Sequence, residues 1–133
     1  MTESPPTPEQ LEQHARIVSV AMDLARDGST AELAEFLDHG YPVDLPDPAG
    51  NTLLMLEAYH GHLDTVRSLV GRGADVDRRN DRDQSPVAGA MFKGEDEVVR
   101  ALVAAGADLD AGSPTARETA RMFGQQHLID GQE

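Results

Sequence analysis

A chain of 133 residues, 39% apolar and 26% charged, holds enough material for one globular domain and too little for two. Its formal net charge of −13, from 24 acidic against 11 basic side chains, repels phosphate backbones and anionic lipid headgroups. Nucleic acid and membrane partners are therefore disfavoured, the absence of cysteine excludes disulfides and thiolate zinc sites, and 4% aromatics leave a core of small aliphatics.

In chain order, Met1-Thr2-Glu3-Ser4-Pro5-Pro6 lacks the basic and apolar regions of a secretory signal, and residues 1–6 read as a disordered, proline-rich tail. No apolar run approaches the roughly 20 residues of a membrane span, so a cytoplasmic location is expected. Thr7-Pro8-Glu9-Gln10 has the form of a capping box with proline at the first helical position. Leu11, Ala15, Val18, Met22 and Ala25 then share one face, which predicts a first helix about two turns longer than its later counterparts. Asp47-Pro48-Ala49-Gly50 is turn chemistry, Thr52 can cap a short helix running to about His60, and Gly61 stops it. The next helix begins near Leu63, carries Val66, Leu69 and Val70 on one face, and ends at Gly73. Ser85 and Pro86 take the cap and first helical positions of another short helix, and Thr115 caps the last. Of a final helix only Leu128 and Ile129 remain.

These elements recur. Gly73-Ala74-Asp75-Val76-Asp77 returns as Gly106-Ala107-Asp108-Leu109-Asp110, a shift of 33 residues. The same shift lays Gly61 on Gly94, Val66 on Val99 and Leu69-Val70 on Leu102-Val103; the reverse shift brings in Gly28, Leu33, Phe36-Leu37, Gly40 and Val43-Asp44. Each unit reads as helix, turn, helix, loop, and is too small to bury its own apolar face. Stacking neighbours buries it, which is the logic of a solenoid.

The repeat resembles the ankyrin family. Gly50, Thr52, Leu54, Ala58, Gly61, His62, Val66, Leu69, Gly73, Ala74, Asp75 and Val76 match that family's pattern in the second unit. Ser85, Pro86, Gly94, Val99, Leu102, Gly106, Ala107 and Asp108 match it in the third. The expectation is an all-α solenoid of about four stacked helix-turn-helix repeats with short finger loops. Residues 7–133 would form a single domain, with repeats at about 7–46, 47–79, 80–112 and 113–130. The ends depart from the pattern: the long first helix reads as an N-terminal cap. Gly124 follows Gly94 by 30 residues, so the last finger is shorter and the C-terminal unit truncated. Lys93 is the one lysine among many arginines, a bias that suggests a bacterial source.

The resemblance implies a protein partner held along a concave face made by the finger tips and the first helix of each repeat. The matching positions include Asn51, Tyr59 and His60 in the second unit and Arg82, Gln84, Phe92 and Lys93 in the third. Tyr59 and Phe92 fall in one column, with Met122 next and Arg26 at its start, which predicts a short exposed aromatic stripe. Glu57 stands where the family usually has alanine, between Leu24 and Ala90 in the neighbouring repeats. A carboxylate there is costly unless it reaches water or a donor, and the small Ala90 suggests a route into the groove, where Glu57 would meet a basic side chain. Asp83 replaces the turn glycine seen at Gly50, which predicts a slightly strained finger. His62 is the family's usual structural histidine, with a ring able to hydrogen-bond turn backbone.

No catalytic site, cofactor or metal is expected. His60, His62 and Asp64 have the wrong spacing for one helical face, since residues i and i+2 point apart. No Gly-x-Ser-x-Gly, Walker-type or Gly-x-Gly-x-x-Gly loop occurs. The leading functional reading is a protein-binding module, an adaptor or inhibitor, monomeric on its own, with a basic partner favoured by the overall charge. One alternative is an acidic mimic of nucleic acid that occupies a DNA-binding protein, against which the interspersed Arg67, Arg78, Arg79 and Arg82 argue. The other is a small hydrolase, which would need a deep pocket with perturbed ionisable groups.

Overall fold

The computed structural model describes residues 4–129, and every regular element among them is helical. Residues 1–3 of the expected tail and 130–133 at the other end lie outside the described residues; residues 4–6 carry no regular structure. Seven α-helices follow in order: α1 (Pro8–Arg26), α2 (Thr30–Asp38), α3 (Leu53–Tyr59), α4 (Leu63–Gly71), α5 (Pro86–Phe92), α6 (Asp96–Ala104) and α7 (Ala116–Phe123). A single 3₁₀ turn, Gln126–Leu128, stands where an eighth helix would be.

The helix starts follow side-chain chemistry. At α1 the Thr7 hydroxyl accepts from the Gln10 backbone N–H, and the Gln10 side chain accepts from the Thr7 N–H. Thr52 and Ser85 accept from Met55 and Ala88, and Thr115 forms a second reciprocal box with Glu118. Each cap satisfies amides that a helix start leaves without partners. The Thr115 N–H, donating to Oε1, also holds the Glu118 carboxyl below its usual range.

Odd-numbered helices pack in one row, α1 on α3, α3 on α5, α5 on α7. The second row runs α2, α4, α6 and the 3₁₀ turn, each packed against its own odd-numbered partner. Leu33, Val66, Leu69, Val99 and Leu102 from the second row meet Met22, Leu54, Val87 and Met91 of the first in one continuous buried cluster. Each such side chain gains roughly 1.5–3 kcal/mol from burial, so the stack is held mainly by this seam.

Two boundaries differ from expectation. Helix α4 ends at Gly71, with Arg72 as its cap and Gly73 already in the left-handed region at φ 88°. Helix α1 has 19 residues against seven in α3 and α5, an excess of about three turns and not two. Its early apolar residues are also uncovered: Leu11 and Ala15 are exposed, and full burial starts at Val18. The cause is length, because a seven-residue α3 spans only about 10 Å and cannot reach the first turns of α1.

The fingers are built by a repeated polar device. Asp47 Oδ1 accepts from the N–H groups of Ala49 and Asn51, and Asn80 Oδ1, 33 residues on, accepts from those of Arg82 and Gln84. Deeper in the loops, Asp44 accepts from the Asp75 N–H and Asp77 from that of Asp108. These bonds tie each loop to the next and give the Asp-x-Asp motif a structural reason. Asp83 has φ 60° in the place where Gly50 has φ 80°, so the finger does carry the expected left-handed non-glycine residue.

Candidate functional site

Short helices and tied-down fingers leave a groove between them. One cleft of it, about 280 Å³, is walled by Asn51, Tyr59, His60, Arg82 and Gln84. The next, about 340 Å³, shares Tyr59 and Gln84 and adds Phe92, Met122 and Phe123. Seven of the residues singled out from sequence, Met122 among them, are thus brought together, and Lys93 joins them with Nζ 5.0 Å from the centre of the Tyr59 ring. Tyr59 is 39% exposed and Phe92 60%.

The rings do not pair as a simple column. Tyr59 stands edge-on to His60 at 5.8 Å, and Phe92 edge-on to Phe123 at 5.7 Å. Phe123 is the residue that column arithmetic missed. The three-residue shortening puts Met122 in register with Phe92, and the neighbouring ring at the helix end then swings in beside it. Asn51 also differs in role from a free contact group, since its side chain donates to Asp47 and accepts from Asn80.

Glu57 is not in the groove. Its side chain is wholly buried, and the route past Ala90 is not taken. Instead Oε2 lies 2.8 Å from Nδ1 of His62, whose ring nitrogen is also 3.3 Å from the Ala25 carbonyl, while Oε1 is buried with no partner. Burial disfavours the carboxylate and pushes this acid up to about 8. Oε2 and Nδ1 share one hydrogen bond, whose donor is the acid when it is protonated and the ring when Nδ1 carries the proton. The ring in turn rests on Gly28, where a Cβ would come within 2.8 Å of the imidazole and φ is 67°. Ala25 of α1, Glu57 of α3 and His62 at the start of α4 meet at this polar plug, so Glu57 is a structural residue and not a groove contact.

His60 and His62 lie closer than their spacing suggested. Gly61, at φ 74°, folds the chain so that the rings stack at 6.0 Å. Among the described residues no group of three or more His, Asp or Glu converges as metal ligands would. None of their helices is long and apolar enough to cross a membrane.

The groove's charge runs against that of the chain. Arg82 is exposed with no carboxylate at ion-pair distance among the described residues, whereas Arg26, Arg72, Arg79 and Arg117 are each paired. Neither cleft is lined by an Asp or Glu; Asp47 lines a separate hollow against α1 and accepts three N–H groups of its own finger. The outer face is different: exposed Arg67 and Arg100 flank a shallow hollow with Glu97 between α4 and α6.

Comparison with known proteins follows the same architecture. The family model for ankyrin repeats, three copies, matches residues 21–113. An ankyrin repeat protein of Pseudomonas aeruginosa is 45% identical over 67 residues, which is 50% of this chain and 39% of that protein. Human ankyrin repeat domain-containing protein 29 is 46% identical over 61 residues, 45% of this chain and 20% of its own. Rat oxysterol-binding protein-related protein 1 is 35% identical over 77 residues, 56% of this chain and 8% of its own. The chain thus matches less than two fifths of the length of each of these relatives.

Proposed function

Because the chain belongs to the ankyrin-repeat family, we propose that it is a binding module that holds another protein in the groove between its fingers and its odd-numbered helices. Ankyrin repeats are in general protein-interaction modules, and the family is typically non-enzymatic. The observation that carries the finer reading is the cleft shared by Tyr59, Phe92 and Phe123. Rings held by helix ends offer apolar area in a fixed geometry, so little side-chain freedom is lost when a partner covers them. The reading assigns the chain an adaptor or inhibitor role, acting as a monomer.

The test uses the full chain to capture its partner from source cells, followed by titration of the purified pair. The double change Tyr59→Ala with Phe92→Ala should weaken the complex by about 2 kcal/mol or more, as loss of a hot spot does. Arg67→Ala with Arg100→Ala, on the outer face, should leave the affinity within about twofold, as substitutions outside a contact surface do. Loss of binding with the outer pair and retention with the aromatic pair would refute the groove reading.

A further inference from the structure

The electrostatics of the groove name the chemistry of its occupant. From the whole-chain charge a basic partner is the simpler expectation, yet the groove carries the opposite local sign. Arg82 and Lys93 flank Tyr59, the first unpaired and the second lying over the ring. No Asp or Glu lines either cleft, and Arg82 is the one Arg, Lys, Asp or Glu among their walls. Asp81 turns toward the preceding finger, with Oδ1 against Gly50. A positive pair therefore sits beside an apolar cleft in a chain of net charge −13.

Resting on the groove reading above, we infer that the partner presents an acidic, apolar peptide segment: a Phe, Leu or Trp side chain with Asp or Glu within two residues of it. The apolar side chain enters the cleft of about 340 Å³ between Tyr59, Phe92 and Phe123. The flanking carboxylate meets Arg82 and Lys93, whose charges stand at the adjoining cleft that shares Tyr59 and Gln84. The surrounding acidic surface then acts as selection: basic segments are drawn to the molecule's rim and acidic ones are accepted in the groove alone.

A random-peptide phage library selected against the immobilised full chain tests this, with synthetic versions of the recovered peptides titrated in solution. Expected are sequences with Asp or Glu next to Phe, Leu or Trp. Their affinity should fall about tenfold or more with Arg82→Glu plus Lys93→Glu, less with Arg82→Gln plus Lys93→Gln, and also with Tyr59→Ala plus Phe92→Ala. Recovery of Lys- or Arg-rich peptides that the charge reversal strengthens and the aromatic pair weakens overturns the acidic assignment while the groove reading stands. Peptides indifferent to the aromatic pair, or no enrichment at all, overturn both.

Discussion

Glu57 shares a hydrogen bond with His62, and His62 lies on Gly28, so one buried acid couples three helices through a chain of short contacts. Its folded-state value of about 8 lies above the ordinary 4.5. A raised acid favours the folded state fully below its unfolded value, and that contribution is lost as pH rises through the folded one. Glu57 should thus erode stability between about pH 4.5 and 8, with a slope of up to ~1.4 kcal/mol per pH unit. Glu57→Gln keeps the shape and a hydrogen-bonding partner for His62 but cannot ionise. Denaturant titrations of both proteins at pH 5 and pH 8.5 should show similar stability at the lower pH and a variant more stable by ~1 kcal/mol or more at the higher. Parallel pH profiles would mean that Glu57 ionises freely.

Among the elements, the fingers show how one periodic position can hold two residue types at different cost. Gly50 could not gain a side chain easily: a Cβ would lie 2.6 Å from Asp81 Oδ1 and 3.0 Å from its backbone nitrogen. Asp83 already carries one at φ 60°, compensated only by a half-exposed ion pair with Arg79. Such pairs contribute little, typically under about 1 kcal/mol. Asp83→Gly should then be neutral or stabilising by a few tenths of a kcal/mol, and Gly50→Ala should cost about 1–3 kcal/mol. Thermal melts of the two variants distinguish this from equivalent fingers, which would shift together.

Periodicity made the elements legible: caps at Thr7, Thr52, Ser85 and Thr115 and the 33-residue register follow from side-chain types at fixed spacing. The groove residues Tyr59, His60, Arg82, Gln84 and Phe92 were legible for the same reason, since register alone decides which turn faces the fingers. What register could not decide was set by individual side-chain geometry. Glu57 folded inward because His62 offered a ring nitrogen five residues on, and Phe123 entered the cleft through a local shift of the last unit. The uncovered start of α1 was hidden because an apolar face is written in the sequence whether or not a neighbour is long enough to meet it.

At the scale of the molecule, Leu69 and Leu102 sit at the centre of one continuous cluster, 1% and 0% exposed. Either change to Ala should cost about 2–5 kcal/mol, a large share of a small domain's stability. Because every repeat is packed only on its neighbours, calorimetry should show that loss as a lowered melt of the whole stack. A loss below about 0.5 kcal/mol at both positions would contradict this core. The same stacking fixes Phe92 on the finger side and Arg100 on the outer side of the third repeat, which makes the binding face measurable directly. A photoreactive phenylalanine analogue is placed at 92 or, separately, at 100 in the full chain, and irradiated in source cells. The account predicts a partner adduct from position 92 and none from position 100; an adduct from 100 with none from 92 would contradict it.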